Sequence, residues 1–311
     1  MGATAFLCSG QGAQTVGMGV DFAQKYAACA EVFATATKAA GFDVLALCQD
    51  GPLEQLSLTQ HTQPALVATS LAIATALQER GVQPDCVAGF SLGEYAAHAI
   101  ADTLSAEVAL QLVSRRAFYM AEAASRTEGG MAALLRCDLA QASELCERHA
   151  RGAGQVLVPA NINCPGQVVI SGQTQALQAA CAEWKEGGGK FAPLATSGAF
   201  HSPLMRYAAE RMALALQMTG FAAGRIPLYC NCNARPLEVG HEAETLVEQI
   251  TAPVLWEQTI RAMVDAGVTR FIECGPGKVL TGMVKRTVRG MDADVSYVCV
   301  QTVEDVEALN G

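Results

Sequence analysis

The sequence is short of charge. Only 16% of its 311 residues are Asp, Glu, Lys or Arg, while 51% are hydrophobic. That balance excludes a disordered chain and demands a sizeable buried core. Positive charge is scarcer still: the net charge is −9, so no nucleic-acid partner is expected, although a local basic patch can still meet an acidic protein. Long apolar runs are missing too. The most apolar stretch, Pro64 to Leu77, is interrupted by Thr69, Ser70 and Thr75 and is too short to cross a bilayer, so it reads as a core helix and no membrane association is expected. There is no internal repeat and no low-complexity tract. No basic region followed by an apolar run opens the sequence, so a cytoplasmic location is expected. No second cysteine pair or histidine set accompanies Cys230-Asn231-Cys232, so no structural zinc is expected.

Cysteine is plentiful. The 12 cysteines sit in apolar contexts such as Phe6-Leu7-Cys8 and Ile272-Glu273-Cys274, the pattern of reduced, buried thiols. The length suits one large domain or a large domain with a smaller one inserted.

The order of elements points to the second arrangement. Ala3 to Cys8 is a short apolar run that enters the glycine loop Ser9-Gly10-Gln11-Gly12. A helix over about Thr62 to Arg80 follows, then a strand at Asp85 to Ala88, the turn Gly89-Phe90-Ser91-Leu92-Gly93, and helices at Glu94 to Ala101 and Glu107 to Ala124. Strand, tight turn and helix are the unit of a parallel α/β sheet. The rhythm changes at Glu128-Gly129-Gly130. From there to Leu194 the pattern predicts β-α-β-β-α-β, the ferredoxin-like order. Helix and strand alternation then resumes, with a strand at Ile226 to Tyr229, another at Thr269 to Glu273 and a helix ending near Val288. The fold class expected is α/β: a large catalytic subdomain with a parallel sheet, from residues 1–126 and 196–311, and a small ferredoxin-like subdomain inserted at 127–195.

The G-x-S-x-G turn carries the strongest chemical signal. A serine between a strand and a helix sits in a strained turn, and the flanking glycines relieve crowding and admit substrate. The N–H of the next residue, Leu92, lies at a helix N-terminus, where it can stabilise an oxyanion. An ordinary serine in a glycine-containing turn is the alternative. A serine nucleophile needs a base. Of the five histidines, His61, His149 and His241 lie in polar contexts and His98 among helix alanines. His201 stands in a loop of small residues, Ser197-Gly198-Ala199-Phe200-His201-Ser202, where such folds carry reacting groups; a surface loop histidine is the competing reading. No aspartate stands out as a third member, Asp265 and Asp292 having no persuasive context. Arg115-Arg116 lies in an apolar helix, and adjacent residues point to different sides. One of them facing a cleft would bind a carboxylate in bidentate fashion; two solvated arginines are equally allowed. The Ser9 to Gln14 loop lacks the Lys-Ser/Thr of a P-loop and the spacing of a dinucleotide fingerprint, so Gln11 is either an amide donor near the nucleophile or part of a plain turn.

Taken together, Ser9-Gly10-Gln11-Gly12-Ala13-Gln14, Ser91-Leu92-Gly93-Glu94-Tyr95, Asn163-Cys164-Pro165-Gly166-Gln167-Val168-Val169, Gly198-Ala199-Phe200-His201-Ser202 and Gly275-Pro276-Gly277-Lys278-Val279-Leu280 resemble the malonyl-CoA:acyl carrier protein transacylases and the related acyltransferase domains of polyketide synthases. The matching segments span nearly the whole chain in the family's order. The resemblance implies an α/β-hydrolase-like large subdomain and a Ser91–His201 dyad. It implies oxyanion stabilisation by the N–H groups of Gln11 and Leu92, Arg116 as the holder of the malonyl carboxylate, and Gln249 as the residue that orients His201 through its main-chain carbonyl. Malonyl-CoA and acyl carrier protein would be the substrates, in fatty-acid or polyketide synthesis, with no metal or redox cofactor; a monomer is only the default expectation. Phe200 would crowd an α-methyl group and favour malonyl over methylmalonyl. Phe90 departs from the family, in which histidine commonly precedes the nucleophile, and would alter the pocket wall. Lys190, Lys278, Lys285, Arg286 and Arg289 are candidates for docking an acidic carrier protein, or else a solvated face. A hydrolase of similar fold and a non-catalytic scaffold of a synthase complex remain the rival functions.

Overall fold

The computed structural model describes residues 2–151 and 155–309; Met1, Asn310 and Gly311, at the ends of the expected large subdomain, and 152–154 in the small one lie outside the described residues. Its strands are β1 (Ala3–Cys8), β2 (Cys86–Gly89), β3 (Gly129–Leu135), β4 (Leu157–Cys164), β5 (Gln167–Gln173), β6 (Lys190–Pro193), β7 (Leu228–Tyr229), β8 (Val268–Cys274) and β9 (Ser296–Val300).

Five strands form a parallel sheet in the order β7-β2-β1-β8-β9. Alternation along β1 shows why it is central: Phe6 and Cys8 enter one apolar cluster, Ala5 and Leu7 the other. A strand buried on both faces reads as a continuous apolar run, as Ala3 to Cys8 does. On one face lies the long helix Thr59–Glu79, packed against Ala27–Ala40 and Ala106–Ser125. On the other lie Trp256–Asp265 and Val279–Val288, which present Trp256, Ile260, Leu280 and Val284 to the sheet.

The remaining strands form an antiparallel sheet in the order β4-β5-β3-β6, the ferredoxin-like order. One face buries Ala132, Leu134, Val168 and Ile170 under the helices Leu139–His149 and Thr174–Glu186. The other face turns Met131, Ala133 and Val169 towards the large core. Hydrogen bonds from Ile162 N–H to Val254 O and from Val254 N–H to Ala160 O, both 2.9 Å, tie β4 to the loop before Trp256. The two sheets thus face each other across the carboxyl ends of β1, β2 and β8.

Some elements differ from the sequence expectation. The helix begins at Thr59 rather than Thr62, and Pro64 lies inside it. The strand expected from Ile226 is confined to Leu228–Tyr229; Pro227, with no N–H to donate, is left outside it. Strand β9 and a final helix, Val303–Ala308, follow the last element read from sequence. The strand is short, Ser296-Tyr297-Val298-Cys299-Val300, with its first residue exposed and the next two half-buried, and becomes an edge strand only by pairing with β8.

The turn after β2 is set by close approach. A methyl group at Gly89 would overlap the Gly93 carbonyl, and one at Gly93 would overlap the Cys8 and Ser9 carbonyls. Both collisions are with backbone, which cannot swing away. Gly89→Ala is therefore expected to destabilise the protein by about 3 kcal/mol or more, read as a lowered midpoint in denaturant unfolding; a wild-type midpoint would disprove this account of the turn.

Candidate active site

Ser91 follows β2 and precedes the helix Gly93–Ile100. Its φ is 53°, the left-handed region that a non-glycine residue occupies only under strain. Asn231 offsets that strain. Its Oδ1 accepts the Ser91 N–H at 2.7 Å, and its Nδ2 donates to Gly89 O at 2.6 Å. His201 is held in the same region, at φ 54°, just before the short 3-10 turn Pro203–Met205. The structure brings the two together: Ser91 Oγ lies 2.7 Å from His201 Nε2. On the ring's far side, Nδ1 lies 2.9 Å from the Gln249 main-chain oxygen.

The proton positions follow from the partners. Arg116 Nη2 lies 3.1 Å from Ser91 Oγ, and a guanidinium only donates. Ser91 Oγ therefore accepts from Arg116. The Gln249 main-chain oxygen can only accept, so Nδ1 carries the ring proton and donates to it. In the neutral ring Nε2 is then the acceptor, and the Ser91 hydroxyl donates to it. The imidazole is thus held neutral with its acceptor on the hydroxyl, the arrangement a general base requires. Burial drives the His201 pKa down to about 4, and the positive charge of Arg116 adds to the effect.

Arg116 comes from the helix Ala106–Ser125 and is 1% exposed, whereas Arg115 beside it is exposed. One of the pair faces the cleft and the other faces solvent. Arg116 Nη1 donates to Gln63 Oε1 at 2.7 Å and Nη2 to Gln249 Oε1 at 2.9 Å. The Tyr95 ring lies 5.8 Å from the guanidinium carbon, a further favourable contact for a cation. No carboxylate touches this buried charge directly among the described residues.

The cleft above the serine has a volume of about 420 Å³, and its walls include Gln11, Ser91, Arg116, Phe200 and His201. Gln11 follows β1, and its side chain donates to Thr59 Oγ1 at 3.4 Å. Among the described residues, neither the Gln11 nor the Leu92 main-chain N–H has an acceptor within the protein. Phe200 is buried and lines the cleft. Phe90 also lines it, edge-on to Trp256 with ring centres 5.3 Å apart. Lys278 and Arg286 line it as well, on an exposed face with Lys285 and Arg289, while Lys190 is exposed on β6. His98 is buried and packs by Phe221, with Nδ1 2.7 Å from Thr103 Oγ1. It is a packed helix residue, as its alanine neighbours suggested. His61, His149 and His241 are remote from the serine's hydrogen bonds.

Three residues of the constellation were not singled out from sequence: Asn231, Gln63 and Glu94. Glu94 left one signal, being a carboxylate in an otherwise apolar helix. Gln63 and Asn231 left none, because an amide in a chain rich in polar loops carries no periodicity or spacing of its own.

A serine bonded to a neutral histidine, at the carboxyl end of a parallel sheet and under a cleft with unengaged amides, defines a serine-dependent acyl-transfer enzyme. Comparison with known proteins narrows the class. A family model described as "Acyl transferase domain" matches residues 5–308. The chain is 41% identical to the malonyl CoA-acyl carrier protein transacylase of Escherichia coli strain K12 over 93% of its length and 94% of that protein's. It is 37% identical to the Bacillus subtilis protein of the same name, over 98% of each. Among solved structures, the malonyl-CoA:acyl carrier protein transacylase of Xanthomonas oryzae pv. oryzae superposes with a TM-score of 0.93 at 38% identity, covering 99% of this chain and 98% of that one. A malonyl-transacylase in complex with its type II polyketide synthase acyl-carrier protein superposes at 0.92, with 35% identity and 98% coverage of both. The chain belongs to the malonyl CoA-acyl carrier protein transacylase family.

Because His201 is buried and neutral, it should take up a proton only well below the usual histidine range. The acid limb of kcat/KM for acylation is expected near pH 4, with activity retained through pH 6; an inflection near 6.5 would contradict the low pKa.

Proposed function

We propose that the enzyme transfers a malonyl group from CoA to the phosphopantetheine thiol of an acyl carrier protein, through a malonyl ester on Ser91. The observation that carries this is the buried Arg116 guanidinium, 3.1 Å from the nucleophilic oxygen. A cation buried at the acyl-binding end of a cleft suits an acyl group that bears its own carboxylate. A hydrolase of neutral esters has no use for it.

His201 Nε2 takes the Ser91 hydroxyl proton as Oγ attacks the thioester carbonyl. The tetrahedral oxyanion accepts from the N–H groups of Gln11 and Leu92. The C–S bond breaks, and CoA leaves as a thiol with the proton from His201. The malonyl ester waits with its carboxylate on Arg116. The carrier thiol then gives its proton to His201 and attacks the ester, and Ser91 Oγ leaves and recovers that proton. Gln249 orients the ring throughout by accepting from Nδ1. Phe200 narrows the space beside the acyl α-carbon, an apolar contact worth about 1–3 kcal/mol of discrimination. The exposed Lys278, Lys285, Arg286 and Arg289 offer an acidic carrier a basic face. On this reading the enzyme acts as a monomer in the cytoplasm, without metal or redox cofactor. Among the described residues no helix is long and apolar enough to cross a membrane.

Mass spectrometry after mixing with malonyl-CoA is expected to show a malonyl adduct that Ser91→Ala abolishes. Rapid release of free malonate without an adduct would instead indicate hydrolysis. Arg116→Ala should lower kcat/KM for malonyl-CoA at least about tenfold more than for acetyl-CoA, the scale of a lost charge-assisted hydrogen bond. Equal losses would remove the carboxylate role.

A further inference from the structure

Glu94 is fully buried on the first turn of the helix that follows the nucleophile, and no step above uses it. Its Oε2 accepts from Gln249 Nε2 at 2.9 Å and from the Asn231 main-chain N–H at 3.1 Å. Its Oε1 is buried without a partner.

The consequence lies in Gln249. The two ends of a primary amide are alike in shape and opposite in hydrogen-bonding sense. Gln249 Nε2 spends one hydrogen on the Ser91 carbonyl oxygen at 2.9 Å and the other on Glu94. Its Oε1 is then left for Arg116 Nη2, also at 2.9 Å. Glu94 Oε2 and the Ser91 carbonyl oxygen act as acceptors, and Arg116 can only donate. Turning the amide over would set oxygen against oxygen at one end and N–H against N–H at the other, all in a buried site where each lost bond is costly.

We infer that Glu94 is a positioning residue that fixes the orientation of the Gln249 amide and, through it, holds Arg116 in the pose that receives the acyl carboxylate. This rests on the proposed role of Arg116. Its second bond, to Asn231, reaches the turn itself, since Asn231 holds the Ser91 N–H and the Gly89 carbonyl. Glu94 therefore joins the part that carries the nucleophile to the part that selects the acyl group. Burial lifts its pKa to about 7, opposed by the hydrogen bonds from Gln249 and Asn231 and by the charge of Arg116. A proton would settle on the unpartnered Oε1 and leave Oε2 accepting, so the role needs an acceptor rather than a charge.

That distinction sets the test. Acylation of Ser91 by malonyl-CoA and by acetyl-CoA would be measured by mass spectrometry for wild type, Glu94→Gln, Glu94→Asp and Glu94→Met. Glutamine can offer its carbonyl oxygen where Oε2 stands and its amide where Oε1 stands, so it should keep the wild-type malonyl-to-acetyl ratio of kcat/KM. Methionine removes the acceptor, and aspartate is too short to reach both Gln249 and Asn231. Both should lower the ratio on the order of tenfold. Should Glu94→Met fail to fold, the Asp and Gln variants decide between them. Equal losses for both substrates in the Asp and Met variants, or a ratio lost in Glu94→Gln as well, would reduce Glu94 to a packing residue. A wild type that forms no malonyl ester on Ser91 would remove the proposed function first, and this inference with it.

Discussion

The site is organised around a buried positive charge that no carboxylate touches. Arg116 sits in the core with its terminal nitrogens bonded to a serine and two glutamine oxygens. Taking a guanidinium out of water costs several kcal/mol unless its protons find partners, and dipoles supply them to both terminal nitrogens here, though not, among the described residues, to the buried Nε. The consequences spread from that one group. It donates to the serine oxygen, it adds to the burial that keeps His201 neutral, and it makes the floor of the cleft receptive to an anion. Direct pairing with a protein carboxylate would have removed the last property. Glu94, the nearby acid, is kept one amide away.

Geometry adds a second constraint. Ser91 and His201 both hold left-handed backbone conformations, each strained by about 1–3 kcal/mol. The surroundings over-determine them: Asn231 clasps the serine turn, and Gln249 accepts from the histidine ring. Gln249 serves both, since its main chain orients His201 while its side chain reaches Ser91 O, Glu94 and Arg116. A single residue thus ties His201, the serine turn and Arg116 together.

Much of this was legible in sequence, and what was hidden has a physical reason. The β-α-β-β-α-β order survives in the antiparallel sheet because local patterning and turn glycines dictate it. The serine turn was readable because Gly89 and Gly93 are demanded by backbone contact. Arg116 could be narrowed to one of two neighbours by helix geometry alone. His201 stood apart from the other histidines by its loop of small residues, and the family resemblance then paired it with Ser91. Gln249 could not be found from residue type, since the contact it makes with His201 uses a main-chain oxygen that every residue possesses. Asn231 and Gln63 act across long sequence separations with side chains that leave no pattern. Strand β9 was missed because it is only five residues long and becomes a strand only by pairing with β8.

The thiols are worth setting beside the chemistry. Among the described residues every cysteine but Cys232 is buried, none lines the cleft, and burial pushes all of the thiols upward in pKa. A protein that spends its working life among activated thioesters is surrounded by reagents that acylate thiolates. By keeping its sulfur protonated and away from the cleft, the fold takes its thiols out of the competition for the acyl group. The acyl group is left a single stop, an oxygen ester, between one sulfur and the next.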